Sequence, residues 1–182
     1  PKTNVENPSF GKTANMNEAR MLHTMSTGDN NTLFVFGGVQ GVTLRQTIEV
    51  LKAGQWTKAG YLKQSRFLHT TTRTKAGNYL ITGGLGAQGW AEIFRPSLAD
   101  QNILIEMKSP RYKHTATQLS NGKVLLVGGG NGIGTQEAGE FINADAKNPQ
   151  SLLTGSLTSA RSNHAAVALA DGTQARSPRG AT

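Results

Sequence analysis

Apolar residues come in short runs that end on a glycine pair. Leu33-Phe34-Val35-Phe36 precedes Gly37-Gly38, Tyr79-Leu80-Ile81-Thr82 precedes Gly83-Gly84, and Val124-Leu125-Leu126-Val127 precedes Gly128-Gly129. Runs this short, bounded by turn residues, predict buried strands and not helices. Ahead of each run lies a segment that alternates. In His114-Thr115-Ala116-Thr117-Gln118-Leu119 the residues Thr115, Thr117 and Leu119 share one side of an extended chain. Ser120-Asn121-Gly122 joins that segment to the next run, and Asn-Gly predicts a tight hairpin. A third segment carries a glutamate among apolar neighbours: Ile48-Glu49-Val50, Glu92-Ile93-Phe94 and Glu140-Phe141-Ile142. A fourth, such as Gly54 to Leu62, leads into the next alternating segment.

The four-segment order repeats. All four histidines, His23, His69, His114 and His164, stand three residues after an arginine, Arg20, Arg66, Arg111 and Arg161. The arginines are spaced by 46, 45 and 50 residues, and the glycine pair begins 17 residues after each of the first three. Met16, Leu62, Met107 and Leu157 stand four residues before them. The glycines suit a sharp exit from the second strand, where a Cβ is excluded. Four short strands recurring at this period predict an all-β propeller blade.

Met107 to Gly129, Ala91-Glu92-Ile93-Phe94 and Trp56, ten residues before Arg66, together resemble the kelch repeat in its bacterial form. The resemblance implies an incomplete kelch-type β-propeller over residues 1–173. It has about three full four-stranded blades, near 19–62, 65–107 and 110–157, with a partial blade at 160–173. Phe10 marks a trailing strand before the first of them. The innermost strands are expected within 21–27, 67–73, 112–119 and 162–169. The aromatic at minus ten, Phe10 and Trp56, gives way to Gln101 and Ser151, so the marker of the fourth strand is absent in the later blades. By count a fourth glycine pair belongs at 178–179, where the chain has Pro178-Arg179, so residues 174–182 are expected to be an irregular tail. The remaining blades are expected from a larger parent chain, or from association of several copies. A chain that begins with Pro1 reads as a processed product or an excised piece.

Composition narrows the chemistry. Twenty-two glycines and 6% aromatic residues fit short strands and tight turns. No run of about 18 apolar residues marks a membrane span. With no cysteine, disulfides, thiolate metal sites and the cysteine-crosslinked tyrosine of kelch-like copper oxidases are all excluded. No histidine pair has ligand spacing, so neither a metal nor another cofactor is expected. Gly128 to Gly134 resembles a dinucleotide fingerprint, but no helix-forming run follows it.

The repeated arginines, histidines and glutamates read first as structural parts, because a catalytic group needs one special neighbourhood. The formal charge of +8 is what the repeat leaves unexplained. In the kelch topology the inter-blade loops and the loops between second and third strands open on one face. Lys63, Arg66, Lys108, Arg111 and Lys113 lie at those loops and are the expected ligand-binding residues. Gathered at a channel mouth they form a positive surface for an anionic partner. The function expected is therefore a non-catalytic scaffold holding a protein or glycan. The alternative is part of a carbohydrate-active extracellular kelch enzyme, an oxidase, sugar isomerase or hydrolase. Nucleic acid is disfavoured, since no aromatic platforms interleave with the basic residues. The bacterial type of repeat leans toward a secreted or envelope location.

Overall fold

The computed structural model describes residues 14–98, 101–169 and 174–176. Over these residues the chain is all β, with a single 3-10 turn at Pro96–Leu98 and no α-helix. The strands are β1 (Thr24–Thr27), β2 (Leu33–Phe36), β3 (Val39–Gln40), β4 (Thr43–Leu44), β5 (Thr47–Lys52), β6 (Gln55–Tyr61), β7 (Thr70–Arg73) and β8 (Tyr79–Thr82). They continue with β9 (Trp90–Phe94), β10 (Ile103–Glu106), β11 (Thr115–Gln118), β12 (Val124–Val127), β13 (Gly139–Ile142), β14 (Ser151–Thr154), β15 (Ala166–Ala168) and β16 (Gln174–Arg176).

Three antiparallel four-stranded meanders follow one another: β1-β2-β5-β6, β7-β8-β9-β10 and β11-β12-β13-β14. A two-stranded β15-β16 opens a fourth, and β3-β4 is a small hairpin between β2 and β5. The first strands lie beside one another, β1 against β7, β7 against β11 and β11 against β15. Each falls inside the segment expected for it.

Successive sheets pack face to face through apolar side chains. Between the first two sit Phe34, Phe36, Ile48, Leu62, Tyr79, Ile81 and Phe94. The rings of Phe34, Phe36, Tyr79 and Phe94 meet with centroids 5.0 to 6.2 Å apart. Between the second and third sheets sit Leu80, Ala91, Ile93, Ile105, Met107, Val124, Leu126, Ile142 and Ala144. The middle sheet is therefore covered on both faces. This is why all four residues of β8 are buried and why its sequence runs apolar without alternating.

The three four-stranded units expected are present, and one expectation, that of an irregular tail, needs correction. The fourth strands β10 and β14 form even though Gln101 and Ser151 replace the aromatic marker. They take their ladders from β9 and β13, which does not require an aromatic. Residues 174–176, placed in an irregular tail, form β16 and pair with β15, Ala166 opposite Arg176. Gln174 stands 13 residues after Arg161, as Leu33, Tyr79 and Val124 stand 13 after their arginines. Backbone pairing carries the unit on where the apolar pattern has stopped. The trailing strand at Phe10, the stretch 170–173 and residues 177–182 lie outside the described residues.

The first glycine of each pair is fixed by contacts from the following unit and the second by the strap of its own unit. Gly83 has φ +57°, and a Cβ there would overlap the Arg111 carbonyl oxygen and approach the His114 ring at 3.1 Å. Gly122, at the hairpin, has φ +83° but open space around it. Gly122→Ala is expected to cost about 1 kcal/mol, from conformation alone. Gly83→Ala should cost about 3 kcal/mol or more, because the next strap must also move. Equal losses in chemical denaturation would show that the pair serves conformation only.

Candidate functional site

Three of the four repeated arginines, Arg20, Arg66 and Arg111, turn back into their own sheets. Arg66 donates from Nη1 to the carbonyls of Gly83 (3.0 Å) and Trp90 (2.8 Å), and its Nη2 lies 3.4 Å from Glu92 Oε2. Arg111 repeats this with Gly128 (2.8 Å), Ala138 (2.9 Å) and Glu140 Oε1 (2.7 Å). Arg20 does so with Gly37 (2.8 Å), Thr47 (3.0 Å) and Glu49 Oε1 (2.5 Å). Arg66 and Arg111 are 0% exposed. Burial pulls the Arg66 guanidinium down to about 10, with Glu92 offsetting part of the shift, so it stays charged at neutral pH.

The glutamates complete the arrangement from the third strand. Besides the arginine, each accepts the backbone N–H three residues before it, from Asn17, Lys63 or Lys108. A polar side chain adds a third bond: Asn17 on Glu49, Asn102 on Glu92 and Ser151 on Glu140. Burial alone would raise the Glu49 carboxyl, but the Asn17 N–H and the Arg20 guanidinium outweigh it and hold it below its ordinary value. These carboxylates are ion-pair partners with their lone pairs occupied.

The segments carrying Arg66, Arg111 and Arg161 are straps over the preceding unit. For the second unit, Leu62 N donates to Gln46 O (2.6 Å), and Arg66 O accepts from Gly38 N (2.8 Å). Leu68 N donates to Leu22 O (3.2 Å), and His69 Nε2 meets Thr24 Oγ1 at 2.8 Å. The third unit repeats the set on the second, with Met107 N to Gly89 O, Gly84 N to Arg111 O, Lys113 N to Leu68 O and His114 on Thr70. The fourth does so with Leu157, Arg161, Asn163 and His164 on Thr115. Between arginine and histidine the chain takes a left-handed residue each time, Leu22, Leu68, Lys113 and Asn163, with φ of 52 to 55°. That kink lets an arginine and a histidine three residues apart serve two different sheets. Burial first, then the charge of Arg66 and the His23 ring, push His69 down to about 3. His114 is held well below its ordinary value for the same kind of reason.

The five residues expected to bind a ligand are therefore scattered. Arg66 and Arg111 are buried in sheets, because only their five-donor forks satisfy the carbonyls gathered there; they cannot reach a ligand. Lys63 and Lys108 are exposed, but their backbones are bound over the third strands at Glu92 and Glu140. Lys113 is exposed beside the first strands, where the row at its repeat position reads Leu22, Leu68, Lys113, Asn163. A cationic mouth is not what the described residues build.

What stands proud on that face is apolar. Bridges Met21↔Val39, Phe67↔Leu85 and Tyr112↔Gly130 put the straps and the loops after the glycine pairs at one end of the sheets. Val42, at the β3-β4 turn, is 94% exposed and Ile133 is 97% exposed. Both stand 22 residues after their arginines and follow a glycine, a Gly-aliphatic signal that sequence reasoning passed over. Along the first strands, Thr24, Thr70, Thr71, Thr115, His69 and His114 line an open groove of about 430 Å³. No group of three or more metal-ligating side chains occurs among the described residues.

No family model matches the sequence, and no curated protein matches it. Among solved structures 143 chains match. One, described as "Structure of YjhT", superposes with a TM-score of 0.76 at 14% identity over 92% of this chain. The likeness is one of fold. This chain spans 62% of the length of that one. Among the described residues no helix is long and apolar enough to cross a membrane.

Two measurements check the site. Arg111→Ala should destabilise by about 3–5 kcal/mol, because Glu140 is left charged and unpaired. Lys63→Ala and Lys108→Ala should stay within about 0.5 kcal/mol; a small loss for Arg111→Ala would overturn the structural assignment. The second measurement concerns pH. His69 binds its proton less readily folded (about 3) than unfolded (6.5). Its contribution is full above pH 6.5 and is lost as pH falls toward 3, at up to about 1.4 kcal/mol per pH unit. Stability should already decline between pH 6.5 and 5, before the carboxylates titrate, and His69→Gln should make that decline shallower, leaving the part that His114 contributes.

Proposed function

We propose that the chain is an arc of a kelch-type β-propeller that works as a non-catalytic scaffold, holding a protein partner on the face where the straps and loops meet. One observation carries this reading: three frames built from the same parts support three different loops. The segment after the glycine pair is a hairpin around β3-β4 in the first unit, a short turn in the second and a long loop over 130–138 in the third. Variation confined to loops on a constant frame is how a scaffold carries recognition. The apolar tips Val42 and Ile133 favour a protein surface over an anionic glycan.

A second reading, a piece of a carbohydrate-active enzyme, draws support from the open groove along the first strands, where threonine and histidine side chains stand beside Met25 and alanines and whose volume suits a small sugar. Glu49, Glu92 and Glu140 serve the frame, so a reacting acid or base would have to come from elsewhere.

The absence of cysteine makes the test direct. Val42→Cys, Ile133→Cys and Lys75→Cys are each labelled with a thiol-reactive photo-crosslinker; residue 75 lies in the turn at the opposite end of the sheets. In extracts of the source cells, positions 42 and 133 should capture the same protein, and position 75 should not. Equal capture from all three positions would reject the loop face as the binding surface.

A further inference from the structure

The chain has two Asn-Gly steps, Asn121-Gly122 and Asn131-Gly132, and the fold treats them oppositely. Asn121-Gly122 turns the β11-β12 hairpin. Gly122 N donates there to Leu119 O (3.0 Å), and Asn121 Oδ1 accepts a single bond, from Lys123 N (3.0 Å). Asn131-Gly132 lies in the long loop of the third unit and is exposed. Asn131 Oδ1 accepts two bonds, from Ile133 N and Gly134 N, both at 3.0 Å. Asn131 N donates to Gly134 O (3.1 Å), which closes the turn on itself. Neither Gly132 N nor Asn131 Nδ2 has a hydrogen-bond partner among the described residues.

These features are what a side-chain amide needs in order to be attacked by its own backbone. The nucleophile is the backbone nitrogen of the residue after asparagine, and a nitrogen that already donates a hydrogen bond must first give that bond up. Gly122 N is held in this way and Gly132 N is not. Approach to Gly132 is also unhindered, since even a Cβ built there would meet nothing within 4 Å. Bonds from Oδ1 to the second and third residues onward fold the Asn131 side chain over the Asn131-Gly132 peptide, which brings carbon and nitrogen together. As the nitrogen adds to Cγ, negative charge develops on Oδ1. Ile133 N–H and Gly134 N–H already point at that oxygen, at the distance of oxyanion-hole donors.

We propose that Asn131 is a self-modification site, at which the folded loop promotes closure of a succinimide with Gly132 and its opening to an aspartyl or isoaspartyl residue. Gly132 N gives its proton to solvent and bonds to Asn131 Cγ. The Cγ–Nδ2 bond then breaks, and Nδ2 takes a proton from solvent and leaves as ammonia. Water opens the ring at either carbonyl, so that amide and water become carboxylic acid and ammonia. The isoaspartyl product routes the backbone through Cβ. Either product sets a carboxylate two residues before Ile133, the 97% exposed tip, and changes the charge of that loop. Asn121 is protected by the bonds of its hairpin. The chemistry stands apart from whatever partner the loop holds.

The test follows both asparagines in the whole chain by peptide mass mapping during incubation at mildly alkaline pH, with the chain folded and with it unfolded in guanidinium chloride. Folded, Asn131 should convert at least about tenfold faster than Asn121. Unfolded, the two rates should converge, Asn131 slowing and Asn121 quickening. Gly134→Pro removes one of the two donors to Oδ1 and leaves Asn131, Gly132 and Ile133 in place. It should slow Asn131 in the folded chain by about tenfold or more and leave Asn121 unchanged. Equal rates in the folded chain, or an Asn131 rate that rises on unfolding, would overturn the proposal. A Gly134→Pro chain that converts Asn131 as fast as the original would do so as well.

Discussion

The structure depends on a guanidinium held in the dry interior of each unit. Moving a charge out of water costs several kcal/mol unless every donor finds an acceptor. Arg66 and Arg111 come close to that condition: four of the five donors of each are taken, by two carbonyls and a glutamate and, at Nε, by Gln64 O or Ser109 O respectively. A buried ion pair is often no more stabilising than an apolar substitute of the same volume. Its consequence here is positional. The carbonyls of the glycine pair and of the third strand point at one place only, so the strap has one register on its sheet. Everything downstream inherits that register, including the left-handed kink, the histidine and the contact with the preceding unit.

The repeat is legible in the sequence because these parts are chemically irreplaceable. Only glycine fits where a Cβ would strike the next strap, and only arginine spreads five donors across two carbonyls and a carboxylate. The β-strands were legible for a simpler reason: a sheet covered on both faces, as β8 is, must read apolar throughout. Three things were not legible. The orientation of Arg66 and Arg111 depends on the left-handed Leu68 and Lys113, and neither leucine nor lysine signals that conformation. Strand β16 is held by backbone bonds, which leave no trace in Gln174-Ala175-Arg176. The exposed tips Val42 and Ile133 follow turn glycines, and one aliphatic residue in a loop carries no pattern until two units are overlaid.

Charge misled where geometry corrected. Five cations adjacent in the repeat looked like one surface, but adjacency in a repeat is not adjacency in space. The strap crosses its sheet from the third strand toward the first. Residues five positions apart on it, such as Lys108 and Lys113, therefore sit over different strands. Long-range positive potential remains a property of the whole chain, and it bears on encounter rates more than on a particular contact.

The division between frame and loops follows from the same constraint. The buried arginine binds the first and last residues of the loop after the glycine pair, Gly83 O and Trp90 O in the second unit, Gly128 O and Ala138 O in the third. Whatever lies between those two carbonyls is closed off from the sheet by a fixed clamp. The loop can then lengthen from one unit to the next without shifting the strands that flank it, since added loop length costs little once its ends are held. A frame fixed by buried charge and loops free to vary are thus two results of one interaction. On the function proposed above, the residues that recur belong to the frame and recognition falls to those that do not, beginning with Val42 and Ile133 at the tips of the clamped loops.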